Sequence, residues 1–275
     1  MRLTESDSRV QQWLDLAEDA LERGEAQVTV ELCSKVLESQ PGHAGAAYLK
    51  AEALRDLGDP VRATRQYEAV VRSTPQHSLA WAGLAWSLFE LVRLDEANVA
   101  VARAIRLSPR LPEALYLRAI LRERRDDHLG AHRDYLRASR LDPAQFPMPL
   151  ELSDAVVDAI VEDALRSLHP SIRAYLSQVS ILLEEFPDED LCMQYEPPAP
   201  PSEFLGYFTG VSMRDRSFSD PWSNLPSAIV LFRRNLARVA MDRERLLEEL
   251  RITVFHEVGH FLGLSEADLE ARGLE

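Results

Sequence analysis

Lysine occurs only twice in the 275 residues, at Lys35 and Lys50, and cysteine only twice, at Cys33 and Cys192. The cysteines stand far apart with no CxxC spacing, which excludes a thiolate metal site and a dithiol redox motif. No run of 18 apolar residues occurs, and the N-terminus lacks a basic start followed by an apolar core. Neither a membrane span nor a secretory leader is therefore expected, and the reading places the protein in the cytoplasm. Runs of basic residues are missing too: 31 basic residues face 45 acidic ones, a formal charge of −14. An acidic surface repels phosphate backbones, so nucleic acid is excluded as the expected partner, and metal ions or cationic substrates fit better. The surplus is uneven. Residues 1–147 hold 20 basic and 22 acidic side chains, and the remainder 11 and 23. Length and this asymmetry together suggest two domains.

What the first half does have is a period. Pro41, Pro75, Pro109 and Pro143 are 34 residues apart, and the same spacing links Trp13, Ala47, Trp81 and Leu115. Two further columns keep the register: Ala17, Ala51, Ala85, Ala119 and Thr29, Ala63, Ala97, Ala131. A fixed period of this size implies stacked supersecondary units. Small residues let paired helices approach, Trp or Leu fills the space between pairs, and proline stops the second helix of each. Gly24 and Gly58 stand at the turn within a pair, where Val92 and Asp126 replace glycine in the later repeats. These columns resemble the tetratricopeptide family over residues 10 to 145. That resemblance implies an α-solenoid of four repeats with a concave groove, lined here by Tyr48, Glu52, Trp86, Phe89, Tyr116 and Arg124, that takes a peptide or protein partner. The alternative for Trp86 and Phe89 is packing between repeats. His43, His77, His128 and His132 read as solvated helix or turn residues.

Periodicity stops at Pro143, and Phe146-Pro147-Met148-Pro149 cannot continue a helix, which puts a domain boundary near 147. Ser153 is a plausible N-cap for a helix that ends before Pro170, and its apolar positions Val156, Val157, Ile160, Val161, Ala164, Leu165 and Leu168 share one face. Three β-rich runs follow, Val179 to Leu183, Phe204 to Thr209 and Ala228 to Phe232, which predict one small sheet. The proline-rich stretch 196–201 reads as an extended connector.

The last helix predicted is Arg243 to Leu262, with Leu247, Leu250, Val254, Val258 and Leu262 as its buried stripe. It contains His256-Glu257-Val258-Gly259-His260. Histidines one turn apart project from the same side and can ligate one ion, and Glu257 beside them can take a proton from a metal-bound water. Gly263 suits a left-handed turn that sends the chain back toward the metal, and Glu266 follows as the third ligand. Gly259 costs roughly 1 kcal/mol in a helix interior relative to Ala, which predicts close approach of another backbone there.

The segment HEVGHFLGLSE, with FLGYFTG and LPSAIVLFRRNL before it, resembles the bacterial minimal-zincin family over residues 150 to 275. That resemblance implies a small α+β zincin-like metallopeptidase domain with a short sheet against the HExxH helix. It also implies Zn2+ held by His256, His260 and Glu266, with Glu257 as catalytic base. The family more usually has Asp at the last position, so Ser265 and Asp268 stand as alternatives to Glu266. Tyr207, Arg214 and Arg216 are candidates for stabilising an oxyanion. The expected protein is then a repeat array over 1–147 and a zincin-like domain over 148–275. Its expected function is zinc-dependent peptide hydrolysis with substrate or partner recruitment by the repeats. The alternative is a metal-binding scaffold with little or no turnover.

Overall fold

The computed structural model describes residues 5–271 except 177, 178, 197, 211–226, 240 and 241, and leaves out the side chains of residues 5, 6, 171, 175, 243 and 266. The chain divides into two compact units, residues 1–147 with 193–200, and residues 148–192 with 201–275.

The first unit is a helical solenoid of the tetratricopeptide type. Its helices are α1 (Glu5–Glu22), α2 (Ala26–Ser39), α3 (Ala44–Asp56), α4 (Pro60–Ser73), α5 (Ser78–Glu90), α6 (Leu94–Leu107), α7 (Pro112–Glu123) and α8 (His128–Leu141). The alanine columns are buried at every repeat: Ala17, Ala51, Ala85 and Ala119 are fully inaccessible. Larger side chains there would push neighbouring helices apart. The turn between paired helices needs a left-handed residue, and all four equivalent positions have positive φ: Gly24 (74°), Gly58 (68°), Val92 (61°) and Asp126 (59°). The two departures from glycine thus keep the geometry and carry its steric cost. His43 and His77 are N-caps, not merely solvated: each Nδ1 accepts the backbone N–H three residues on, at 3.1 Å. Aspartates cap two of the second helices, Asp59 for α4 and Asp127 for α8.

In the second unit α9 (Asp154–Ser167) and α10 (Pro170–Leu176) precede β1 (Val179–Glu184), α11 (Glu189–Cys192), β2 (Gly206–Thr209), β3 (Ser227–Phe232), α12 (Arg233–Val239), α13 (Arg243–Leu262) and α14 (Glu266–Glu270). The strands lie in the order β1-β3-β2, with β1 parallel and β2 antiparallel to β3. Central β3 is buried at all six residues, because its two faces serve two clusters. Ile229 and Leu231 join Leu246, Leu250, Val254, Val258 and Phe261 of α13 and Val157, Val161 and Ala164 of α9. Val230 and Phe232 face the other way, onto Leu191, Phe204 and Tyr207. This is the period of two expected of a strand covered on both sides. Leu246 and Phe261 extend the buried stripe of α13, where the sequence suggested Leu247 and Leu262; those two are half-buried at its margin.

Asp126 is exposed, so relief of its left-handed strain can be tested without touching the core. Asp126→Gly is expected to stabilise the protein by about 0.5–1 kcal/mol, the strain relieved less the entropy gained by the unfolded chain. The readout is the urea midpoint, and a lower midpoint would show that position 126 is unstrained.

Candidate metal centre on helix α13

Helix α13 is held at both ends. At the start Asp242 accepts from the Arg245 N–H at 2.8 Å. At the end Gly263 takes φ 86°, and the N–H groups of Gly263 and Leu264 donate to the carbonyls of His260 (2.9 Å) and Gly259 (3.0 Å). This paired closure turns the chain into α14, whose N-cap is Ser265. Gly259 is required by a side chain and not by another backbone: a Cβ there would lie 2.3 Å from Leu269 Cδ2, and Leu269 is fully buried. Close contact at Gly259 therefore brings α14 down against the last turn of α13.

His256 and His260 point the same way, with their Nε2 atoms 2.9 Å apart and their rings edge to face, centroids 4.7 Å apart. Two nitrogens each about 2.05 Å from one ion at the tetrahedral angle stand about 3.3 Å apart. The pair needs to open by only a few tenths of an ångström to chelate, so its donor set fits a zinc ion. Among the described residues no third His, Cys, Asp or Glu completes a cluster with them. The side chain of Glu266 lies outside the described residues; its backbone is the first residue of α14. Both alternatives to it are committed locally. Ser265 and Asp268 form a reciprocal capping box, with Ser265 Oγ donating to Asp268 Oδ2 at 2.7 Å and the Asp268 N–H donating to Ser265 Oγ at 3.3 Å.

Glu257 is buried, with 5% of its surface exposed. Thr253, Glu257 and Phe261 form one row at four-residue spacing, and β2 crosses both ends of that row. A Cβ on Gly206 would lie 2.9 Å from Thr253 Cγ2, and the Phe208 ring meets the Phe261 ring edge to face at 5.8 Å. Glu257 thus sits on the helix flank that faces the edge strand, while the two histidines sit on the adjoining, half-buried flank. Strand alternation removes Tyr207 from this centre. Phe208 faces α13, so Tyr207 faces away, stacked on Phe232 at 5.9 Å. Burial, with Glu184 and Asp188 nearby, raises its phenol above the ordinary range. Arg214 and Arg216 lie outside the described residues. An open cavity of about 420 Å³ runs along the opposite flank of α13, lined by Phe255, Val258 and Leu262 with Ser167, Leu168 and Arg251 among others. It contains none of His256, Glu257 or His260.

In the repeat unit Tyr48, Glu52, Trp86, Tyr116 and Arg124 are half-buried, whereas Phe89 is 1% exposed and packs edge to face against Trp86. Phe89 is therefore packing and not groove surface. Beside Tyr48 runs a polar chain that the repeat pattern did not announce. Tyr67 donates to Glu52 at 2.6 Å, and Arg55 bridges Glu52 (3.0 Å) and Glu113 (2.5 Å), which lies 58 residues away. Gly83 makes room, since a Cβ there would lie 2.3 Å from the Tyr67 ring. Burial raises the Glu113 carboxyl while Arg55 pulls it back. The indole N–H of Trp86 is buried with no hydrogen-bond partner among the described residues.

A stacked-helix unit and an α+β unit with an HExxH helix define the class: a helical-repeat protein with a small α+β domain. Residues 176–274 match the family model described as zincin-like metallopeptidase, and residues 53–112 match that of the tetratricopeptide repeat. The chain thus carries tetratricopeptide repeats and a zincin-like metallopeptidase domain. Comparison with curated proteins gives no match. Among solved structures, the chain is similar to MamA 41-end from Desulfovibrio magneticus RS-1, at 23% identity over 51% of this chain and 78% of that one, with a TM-score of 0.45. It is also similar to the first TPR of Spaghetti (RPAP3) bound to HSP90 peptide SRMEEVD, at 18% identity over 44% and 93%, with a TM-score of 0.40.

The position of β2 over α13 depends on the missing side chain at 206. Gly206→Ala places a Cβ 2.9 Å from the Val230 carbonyl as well as from Thr253. Backbone cannot yield cheaply, so a destabilisation of about 1–3 kcal/mol is expected in urea unfolding. Parent-like stability would mean that β2 does not lie this close to the helix.

Proposed function

We propose that the second unit is a zinc-dependent peptide hydrolase and that the repeats recruit its substrate or a partner protein. The observation that carries the reading is the convergence of His256 and His260 to 2.9 Å beside buried Glu257. His256, His260 and Glu266 would hold the ion. Glu266 is assigned because Ser265 and Asp268 are engaged with each other in the capping box. Zinc bound there would supply a water acidic enough to act as nucleophile near neutral pH and would polarise the scissile carbonyl. Glu257, buried beside the histidines, would serve as the base that takes a proton from such a water and passes it to the leaving amine. Among the described residues no strand pairs with the outer edge of β2, so an extended peptide can add there and present its carbonyl next to the histidines. In the repeats Tyr48, Trp86 and Tyr116, all half-buried, would line the groove that receives a peptide or protein partner.

Glu257→Gln keeps the shape and removes the base. It is expected to retain zinc and fold normally while losing roughly two to four orders of magnitude in turnover of a mixed peptide library. Equal cleavage by parent and variant would sink the mechanism, and zinc without cleavage in the parent would leave a metal-binding scaffold.

The ligand assignment is tested separately, by zinc titration against a chromogenic chelator. His260→Ala and Glu266→Ala should each weaken zinc binding at least tenfold, whereas Asp268→Asn should leave it within about threefold, since Asp268 serves the α14 cap. A larger loss from Asp268→Asn than from Glu266→Ala would exchange their roles.

A further inference from the structure

The repeat unit is nearly neutral as a whole, yet its arginines are not evenly spread. Three stretches at 34-residue offsets, 65–73 of α4, 99–107 of α6 and 133–141 of α8, contain Arg65, Arg72, Arg103, Arg106, Arg133, Arg137 and Arg140. Only two carboxylates fall in the same stretches. Glu68 is half-buried, and Asp134 is 1% exposed and engaged by Arg118 and Arg122 at 2.7 Å. The register is that of the fold: Arg72, Arg106 and Arg140 occupy one column, Arg103 and Arg137 another, and Arg65 and Arg133 a third, with Val99 exposed between them.

Four exposed arginines elsewhere in this unit pair with carboxylates: Arg23 with Glu25, Arg62 with Asp59, Arg93 with Glu96 and Arg125 with Asp95. Among the described residues Arg65, Arg72, Arg103, Arg106 and Arg140 enter no ion pair. In a chain with 45 acidic residues that segregation is a property of the surface and not a shortage of partners. The helix macrodipole accounts for one cation in each last turn, which is where Arg72, Arg106 and Arg140 stand. It does not account for Arg65, Arg103, Arg133 and Arg137, which stand further from the helix ends.

We propose that the outer helices of repeats two to four form a docking face for an acidic, extended segment of a partner protein, separate from the groove lined by Trp86 and Tyr116. Guanidinium groups bind carboxylates through paired N–H donors; Arg133 and Arg137 already donate to the carbonyls of Leu129 (3.2 Å) and Pro109 (2.9 Å), and Arg137 reaches Asp134 at 3.7 Å, so the five arginines without an ion pair carry the face. The arginines recur along and between three helices, and an extended chain advances about 3.3 Å per residue, so a segment with acidic residues at short regular intervals can meet several of them at once. Protein is favoured over nucleic acid because the net charge of −14 opposes a ligand charged at every nucleotide more than one charged at every third residue.

The test is fluorescence anisotropy with the full chain and three labelled probes of equal length. These are a Ser/Gly peptide with Glu at every third position, the same peptide with Lys, and a single-stranded RNA. The Glu peptide should bind, and more weakly as salt rises from 50 to about 300 mM, because the contacts are exposed ion pairs. The Lys peptide should not bind. The triple variant Arg72→Gln, Arg106→Gln, Arg140→Gln should lose at least tenfold in affinity with unchanged helical content. Arg62→Gln with Arg93→Gln should change it less than twofold. No binding of the Glu peptide by the parent, or equal binding by the triple variant, overturns the proposal. So does RNA binding as tight as the peptide's. Light scattering decides against it in a further case: self-association of the parent that the triple variant abolishes would make the face an interface between copies of this chain.

Discussion

Helix α13 has to bury one side in the core of its unit and hold two imidazoles together on another, and the 3.6-residue period lets it do both only if the rows are kept apart. Leu246, Leu250, Val254, Val258 and Phe261 are taken up by the core. Thr253 and Glu257 lie between that core and the histidines, in a row that ends on core residue Phe261, and β2 runs over it. Glu257 is the one ionisable member of the row, so the neighbour of the histidines on this flank is a buried carboxylate. Everything proposed for the chemistry follows from that ordering of rows. It depends on two absent side chains, at Gly206 where the strand crosses and at Gly259 where α14 closes on Leu269.

The end of α13 shows how local structure can assign a role that pattern matching leaves open. Three residues after Gly263 could serve as an acidic or hydroxyl ligand. Two of them, Ser265 and Asp268, satisfy each other and the first turn of α14. A capping box uses the lone pairs that a metal would need, and breaking it would fray the short helix that packs on Gly259.

The repeat unit works by a different economy, repetition of one geometry. Four turns take up the left-handed conformation, whatever the residue, because the stacking of helix pairs on both sides leaves no other path. The same repetition aligns surface residues into columns, so a bias at one position becomes a stripe of charge. Across the inner helices it also brings Arg55 and Glu113 together from repeats that are not neighbours in sequence. In this solenoid that repetition places Arg72, Arg106 and Arg140 at one column and Arg103 and Arg137 at another.

Architecture was legible in the sequence because it follows from periods. The 34-residue spacing marked the repeats, the β-rich runs marked three strands to within two residues, and α13 runs over Arg243–Leu262 as its apolar pattern and flanking residues imply. The histidine pair was legible for the same reason, since i and i+4 share a face in any helix. Side-chain direction across elements was not. That Tyr207 turns away from α13, that Phe89 is core, that Gly259 accommodates Leu269, and that Ser265 and Asp268 bind each other all depend on which elements meet. Histidine as an N-cap, at His43 and His77, has no strong sequence signal, because Ser, Thr, Asp and Asn dominate that position. Periodicity is a property of one chain segment and survives in the sequence. Contact between segments is a property of packing, and only the tertiary structure decides it.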